Sequence, residues 1–353
     1  MHINFILPGL SEHQVIGGFR VHYEYANGLA RLGHQVTVTH TLFNPEPLTA
    51  SLLSSKLNGD IRHLIHWFTF EPSIRVTFTI NNRFLKPCDI LICSAWQTSE
   101  IFGDNHQTAW LTAQIAYDYE FWAPANQILK ERISAAFRKT DIMISTSSIV
   151  SQMLGLCQRE IDAVICCGYQ NKIFKLTRPY HDRPLKIGIL LRDHETKRTV
   201  DAIKALEMVR SVHEIEVLAA GKWSKPLPNW VTPYDASSDE KLNDFYNLIS
   251  IFLLPSEFEG WGLPAMEAMA AGAVVISARN GGVEHFLVDG INGLLYQPKN
   301  IEQLHGAICR LASDRALRVS CASNALETVK HFEWGNAISQ LETLLVRKMN
   351  ELG

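Results

Sequence analysis

The sequence predicts an α/β protein built from two consecutive Rossmann-like domains. Three observations carry that expectation. Short apolar, strand-like runs alternate with stretches of helical period, and this alternation breaks near residues 175–184 before starting again. The length of 353 residues is long for one hydrophobic core and comfortable for two. With 46% hydrophobic and 20% charged residues, the composition is that of an ordinary globular chain.

Residues 3–7 form an apolar run of the buried parallel-strand kind. A loop holding Gly17 and Gly18 follows, then Val21, Tyr25, Leu29 and Leu32 recur at helical spacing until Gly33 ends the helix. Residues 36–39 are β-branched and strand-like, which completes a βαβ unit. Residues 89–93, 110–113 and 141–145 read as further buried strands, with a helix over 127–139. The stretch 44–88 gives no clear assignment; within it the aromatic run 66–70 reads as strand or core, with a lid or a surface patch as the alternatives. Pro179 and Pro184 bracket a polar boundary. Beyond it come a strand at 185–191, a helix at 199–210, and strands at 215–220 and 249–254. A last helix over 336–348 carries Ile338, Leu341, Leu344 and Leu345 on one face, with Trp334 as an anchor before it. The expected domains are 1–178 and 179–330, with 331–353 as a terminal helix.

Several function classes are disfavoured. A formal net charge of −3, from 33 basic and 36 acidic residues, argues against a broad grip on nucleic acid. Seven cysteines, without paired CxxC spacing, predict free thiols in a reducing, cytoplasmic compartment and no structural zinc. No secretory leader or bilayer-spanning run is expected. No GxGxxG string follows the first strand and no P-loop occurs, which weighs against a dinucleotide oxidoreductase or an NTPase.

The most informative segment is 256–272. It follows a buried strand and so lies where α/β sheets bind ligands, beyond a strand's carboxyl end. Pro264 suits the first turn of a helix and Gly272 its end. The Gly260-Trp261-Gly262 turn, with Leu263, would present backbone N–H groups at a helix N-terminus, a setting suited to a diphosphate. Glu259 and Glu267 flank this anion site. Like charges repel, so both are better used accepting hydrogen bonds from hydroxyls, one on a sugar and one on a ribose. Taken alone, Glu267 reads better as a partner of the helix dipole; the whole string is more specific than either residue.

Glu259 followed by seven residues and Glu267, inside Glu-Gly-Trp-Gly-Leu-Pro, resembles the EX7E motif of family 4 retaining glycosyltransferases of the GT-B fold. The blocks Gly281-Gly282-Val283-Glu284 and Asp289-Gly290-Ile291-Asn292-Gly293, the glycines at 17 and 18, and Phe332-Glu333-Trp334 extend the resemblance over most of the chain. It implies two Rossmann-like domains facing a cleft, with a C-terminal crossover helix. It also implies a nucleotide-sugar donor held by the second domain and a saccharide or glycolipid acceptor bound by the first. Glu267 would take the ribose hydroxyls and Glu259 the donor sugar, while Gly17 and Gly18 would let the chain approach the diphosphate or acceptor closely. Arg192 and Lys197 resemble the basic pair that neutralises the diphosphate. A glycine usually precedes that arginine and follows that lysine; here Leu191 and Arg198 stand in those places, so Lys197 and Arg198 remain alternatives.

The segment Gln114-Ile115-Ala116-Tyr117-Asp118-Tyr119-Glu120 is similar to one in rhamnosyltransferase-like members, and makes Asp118 and Glu120 candidate acceptor or sugar contacts against a reading as simple loop acids. No certain equivalent of the family's sugar-contacting histidine is found; His106 precedes the strand and reads as structural or exposed. The metal-binding Asp-x-Asp pair of the other main glycosyltransferase fold is absent, and neither a metal nor another cofactor is expected. The resemblance thus implies retaining, metal-independent transfer of a hexose or deoxyhexose, with rhamnose a weak preference. The rival is a non-catalytic protein that binds sugar nucleotides or glycans on the same fold. Peripheral contact with the inner face of a membrane is left open.

Overall fold

The computed structural model describes residues 1–12, 16–41, 59–79 and 85–352. The chain divides into two compact units, Met1–Cys167 with Trp334–Gly353, and Gly168–Glu333.

In the first unit the strands are β1 (His2–Pro8), β2 (Gln35–Thr41), β3 (Arg75–Thr79), β4 (Cys88–Cys93), β5 (Ala109–Ala116), β6 (Ile142–Ser145) and β7 (Ala163–Val164). They form one parallel sheet in the order β3-β2-β1-β4-β5-β6-β7. β1 is buried along Ile3–Leu7, apolar there but for Asn4, because a parallel sheet is covered on both faces. The helix Gly17–Arg31 connects β1 to β2. Gly17 and Gly18, expected in a loop, are its first two residues, with Ile16 in extended conformation at the cap. The aromatic run at 66–70 is not a strand: Trp67, Phe68 and Phe70 gather round Tyr23, with ring centroids 5.4, 5.0 and 4.7 Å away. It is core built from a connecting segment, in line with the core alternative.

The C-terminal helix Trp334–Asn350 belongs to this first unit. Trp334 meets Tyr25 edge-on at 5.2 Å, His34 Nε2 lies 3.1 Å from Glu342, and Lys348 pairs with Asp162 at 2.6 Å. Gly28 is what lets this helix sit so close. A Cβ there would fall 2.2 Å from Cδ1 of Ile338.

The second unit contains β8 (Lys186–Leu191), β9 (Glu216–Gly221), β10 (Val231–Tyr234), β11 (Ile251–Leu254), β12 (Val274–Ala278) and β13 (Gly293–Tyr296). They too are parallel, in the order β10-β9-β8-β11-β12-β13. Ile187, Ile189, Ile251, Leu253, Val274 and Ile276 supply the core against the helices Thr199–Arg210 and Ile301–Ser313.

Both boundaries differ from the expected 178–179 and 330–331 junctions. Residues 168–178 pack with the second unit because Asn243 and Asn247 accept the backbone N–H groups of Lys175 and Thr177 at 3.0 and 2.8 Å, and Phe174 rests on Tyr246. Residues 331–333 stay there as well, since Phe332 packs on Trp261 at 5.5 Å and Glu333 bridges to Tyr169.

The close approach at Gly28 yields a stability prediction. Gly28→Val should destabilise the chain by about 1–3 kcal/mol through overpacking against Ile338. Ile338→Ala in the same chain should recover part of that loss. Urea unfolding of the two single variants and the double variant measures the coupling.

Candidate functional site

In each sheet the strand order turns back between the first strand of the unit and the fourth, β1 beside β4 and β8 beside β11. The segments leaving such neighbours diverge and open a ligand crevice at the strands' carboxyl ends.

In the second unit that crevice collects most of the expected residues. Arg192 follows β8 directly, and its backbone is tied to Thr199, which accepts the Arg192 N–H at 3.2 Å and donates its hydroxyl to the Arg192 carbonyl at 2.9 Å. The guanidinium is left exposed. A short 3-10 turn, Glu195–Lys197, then aims Lys197 at Glu259, Nζ to Oε1 3.0 Å, across 62 residues of sequence. Both side chains are largely buried, at 15% and 13% exposure. Burial pushes the Glu259 carboxyl up. The Lys197 ammonium, a hydrogen bond from Ser256 and the charge of Arg192 outweigh that effect and hold it below the usual carboxylate range. Glu259 is therefore an ionised, acceptor-only group at neutral pH.

Arg198 goes elsewhere. Its Nε and Nη2 hold Asp201 at 2.7 and 2.6 Å, at the start of the following helix. Of the two alternatives, Lys197 is the cation that faces Glu259.

The loop carrying Glu259 is fixed from below. Asn280 accepts the Glu259 N–H through its carbonyl at 3.2 Å, and Glu259 bridges to Gly281. Gly282 must be glycine for this packing: a Cβ there would come within 2.6 Å of the Trp261 nitrogen and 2.7 Å of the Glu259 carbonyl. Gly260 and Trp261 are buried, and the Trp261 ring lies against His285, Phe286 and Phe332. Gly262 turns with φ 98°, a left-handed conformation that suits glycine, and caps the helix Leu263–Ala270. Leu263 opens that helix, Pro264 sits in its first turn, and Glu267 is buried one turn inside. The Tyr246 hydroxyl donates to Glu267 Oε2 at 3.3 Å.

The first unit presents a different picture. Gly18 is packed against Tyr117, so that a Cβ would come within 2.6 Å of its ring; nothing lies within 4 Å of a Cβ at Gly17. The Tyr117 hydroxyl reaches His22 Nδ1 at 3.3 Å, and that nitrogen also meets the Gly18 carbonyl at 2.9 Å. Burial pushes His22 down to about 4, so the ring is neutral. Gly18 thus serves a close internal approach. Asp118 is almost wholly enclosed, and the donors beside its carboxylate are the backbone N–H groups of Trp96 and of Asp118 itself. Burial, then the charge of Glu120, pushes its carboxyl up to about 7. Glu120 is half-buried on the four-residue helix Tyr119–Trp122. His106 is exposed and faces Asp141 at 3.6 Å.

Sequence reasoning missed Tyr246, Ser256 and Asn280 as support for the two glutamates. Gly281-Gly282 was visible as a turn, but nothing local marks Tyr246, whose partner is 21 residues on. Among the described residues, no group of three or more His, Cys, Asp or Glu side chains is placed to hold a metal ion.

The Asp118 environment has a definite pH signature. Its pKa is 3.8 in the unfolded chain and about 7 in the fold, so the folded state keeps a proton that the unfolded state releases between those values. The resulting stabilisation is present below pH 3.8 and is lost as pH rises to 7. The full swing is ~4 kcal/mol. Asp118→Asn should therefore be more favourable to stability at pH 8 than at pH 4, relative to the parent chain. Urea midpoints at the two pH values check the sign.

With this geometry in view, the kinship of the chain can be stated. Residues 179–328 match the family described as glycosyl transferases group 1. An uncharacterized glycosyltransferase of Methanocaldococcus jannaschii is 27% identical over 211 residues, 58% of this chain and 58% of the relative. A D-inositol 3-phosphate glycosyltransferase of Corynebacterium urealyticum is 27% identical over 48% of this chain and 37% of its own. The chain thus spans little more than half the length of these curated relatives, or less. Among solved structures, sucrose-phosphate synthase from Thermosynechococcus elongatus superposes with a TM-score of 0.79 over 100% of both chains at 18% identity. Anabaena HepE in complex with UDP-glucose gives 0.76 over 98% of this chain and 100% of its own, at 16% identity. The chain has the GT-B fold, and residues 179–328 of its second unit match the glycosyl transferases group 1 family.

Proposed function

We propose that the chain is a glycosyltransferase that moves a hexose or deoxyhexose from a nucleoside diphosphate to a saccharide or lipid-linked saccharide, with retention of configuration and without a metal. One observation carries this reading. Arg192, the Lys197–Glu259 pair and the Gly260–Gly262 turn gather where the second sheet's strand order reverses, at the N-terminus of the helix that carries Glu267. The family match, the curated relatives named glycosyltransferases and the UDP-glucose complex of HepE all support it.

Each group has a chemical task in that reading. As the glycosidic bond breaks, the leaving diphosphate gains negative charge, and fixed cations at positions 192 and 197 stabilise it. The backbone N–H groups at the start of Leu263–Ala270 add to that field. Glu259, ionised by its neighbours, accepts hydrogen bonds from sugar hydroxyls. Glu267 accepts them from the ribose, with Tyr246 setting its orientation. Retention rests on the family resemblance. It is consistent with a front-face displacement in which the departing phosphate oxygen takes the proton of the acceptor hydroxyl. Acceptor recognition falls to the first unit, with Glu120 the more accessible candidate and Asp118 acting from beneath the surface. Rhamnose as the transferred sugar rests on the segment around Asp118 alone. Action at the inner face of a membrane remains part of the proposal only as peripheral contact, since no helix among the described residues is long and apolar enough to cross a bilayer.

A thermal-shift screen of nucleoside diphosphates and their sugars, with a chelator present, tests the donor site. One nucleotide should raise the midpoint, and Glu267→Ala should abolish the shift. Lys197→Ala should lower kcat/KM by about 10²–10³-fold, the loss seen when one charge-stabilising donor is removed from a transition state. Binding without transfer to any saccharide acceptor would favour a sugar-nucleotide-binding protein instead.

Stereochemistry gives an independent check. Proton NMR of the first-formed product should show the anomeric configuration of the donor; the opposite anomer would exclude the front-face displacement.

A further inference from the structure

A buried arginine stands out in the second unit. Arg183 is 9% exposed and has no carboxylate partner among the described residues. Its guanidinium instead makes five hydrogen bonds to oxygens. Nη1 donates to the carbonyls of Tyr246 at 3.1 Å and Ile249 at 3.0 Å. Nη2 donates to those of Arg178 at 2.9 Å and Ala271 at 2.6 Å, and to Asn247 Oδ1 at 3.0 Å. Tyr246 and Ile249 lie at the C-terminal end of the helix Asp239–Leu248, and Ala271 caps the helix Leu263–Ala270. One cation therefore neutralises the negative ends of two helix dipoles at once. Gly272 follows Ala271 directly, turning with φ 83°, and a Cβ there would sit 2.7 Å from Leu176 Cδ1.

The two clamped helices bear on the candidate donor site. One presents Tyr246 and the other Glu267, joined by the hydrogen bond between them. Burying a guanidinium is costly, and nothing in the packing of an ordinary αβ unit requires one here. We infer that Arg183 is a positioning residue of the nucleotide site: it locks the two helix ends in register so that the Tyr246–Glu267 pair is held ready for the ribose. The inference rests on the donor-site reading for its ligand but not for its mechanical part, and the two can be tested apart.

Arg183→Lys keeps a buried cation but loses the planar fork, so it cannot serve both helix ends with the same geometry. Circular dichroism fixes a temperature at which every variant is folded. In the ligand-free protein, backbone hydrogen exchange should speed up by about ten-fold in residues 239–249 and 263–271, and stay unchanged in the helix Ile301–Ser313. Uniform acceleration, or none, would overturn the inference whether or not a nucleotide binds. The second arm is a double-mutant cycle on affinity for the nucleoside diphosphate, measured by calorimetry with UDP as first probe and the other bases after it. Arg183→Lys should weaken binding about ten-fold in the parent chain and less than two-fold in the Glu267→Gln background. Equal losses in both backgrounds would show that Arg183 does not act through Glu267. A parent chain that binds no nucleoside diphosphate would overturn the donor-site reading, and the exchange pattern would then decide the mechanical claim alone.

Discussion

The chemistry of the second unit depends on one topological constraint: β8 and β11 are neighbours in the sheet although two strands separate them in the chain. Segments leaving two such strands must diverge, and the space between them is where side chains distant in sequence can meet. Lys197 comes off the first strand and Glu259 off the second, and their 3.0 Å contact closes the gap. Removing either side chain would take from the other, a largely buried charge, the contact that offsets its burial. Each explains why the other is tolerated away from water. The pairing also sets the protonation state of the site, since Glu259 stays ionised only because cations outweigh its burial.

The alternating pattern of the chain made the two-unit α/β architecture legible, because a buried parallel strand is an apolar run whatever surrounds it. The helix Thr199–Arg210 and the strand Ile251–Leu254 could be read almost to the residue. The connecting aromatics at 66–70 could not, because apolar residues that gather round one tyrosine look the same in sequence as those of a strand. The domain junctions were misplaced for a related reason. Proline and polar residues mark a linker, but Asn243 and Asn247 tie the preceding residues down through backbone hydrogen bonds that leave no local trace.

The site was legible to the same depth. Local strings revealed Glu259, Glu267 and the glycine turn, because the turn and the helix start are encoded side by side. What holds them was hidden, because Tyr246, Asn280 and Arg183 act across distances set by the fold. Gly18 shows a further limit. The glycine expected to let a ligand approach also makes room for the Tyr117 ring, and a sequence cannot tell one close neighbour from another.

The departures at 191 and 198 show why the basic pair survives an imperfect motif. Leu191 replaces a glycine at the end of β8, where its side chain joins the core at 5% exposure; the strand needs no freedom there. Arg198 replaces a glycine at a position that does demand it, with φ 51° and ψ 30° in the left-handed region. A non-glycine residue pays roughly 1–2 kcal/mol to adopt that conformation. Here the guanidinium offsets the strain by pairing with Asp201, which lies in the first turn of the helix that Arg198 caps. The backbone path is therefore the one a glycine would give. Lys197 faces Glu259, and the Arg198 side chain is drawn off towards Asp201. A motif can lose two of its glycines without losing its charges when one position is insensitive and the other carries its own compensation.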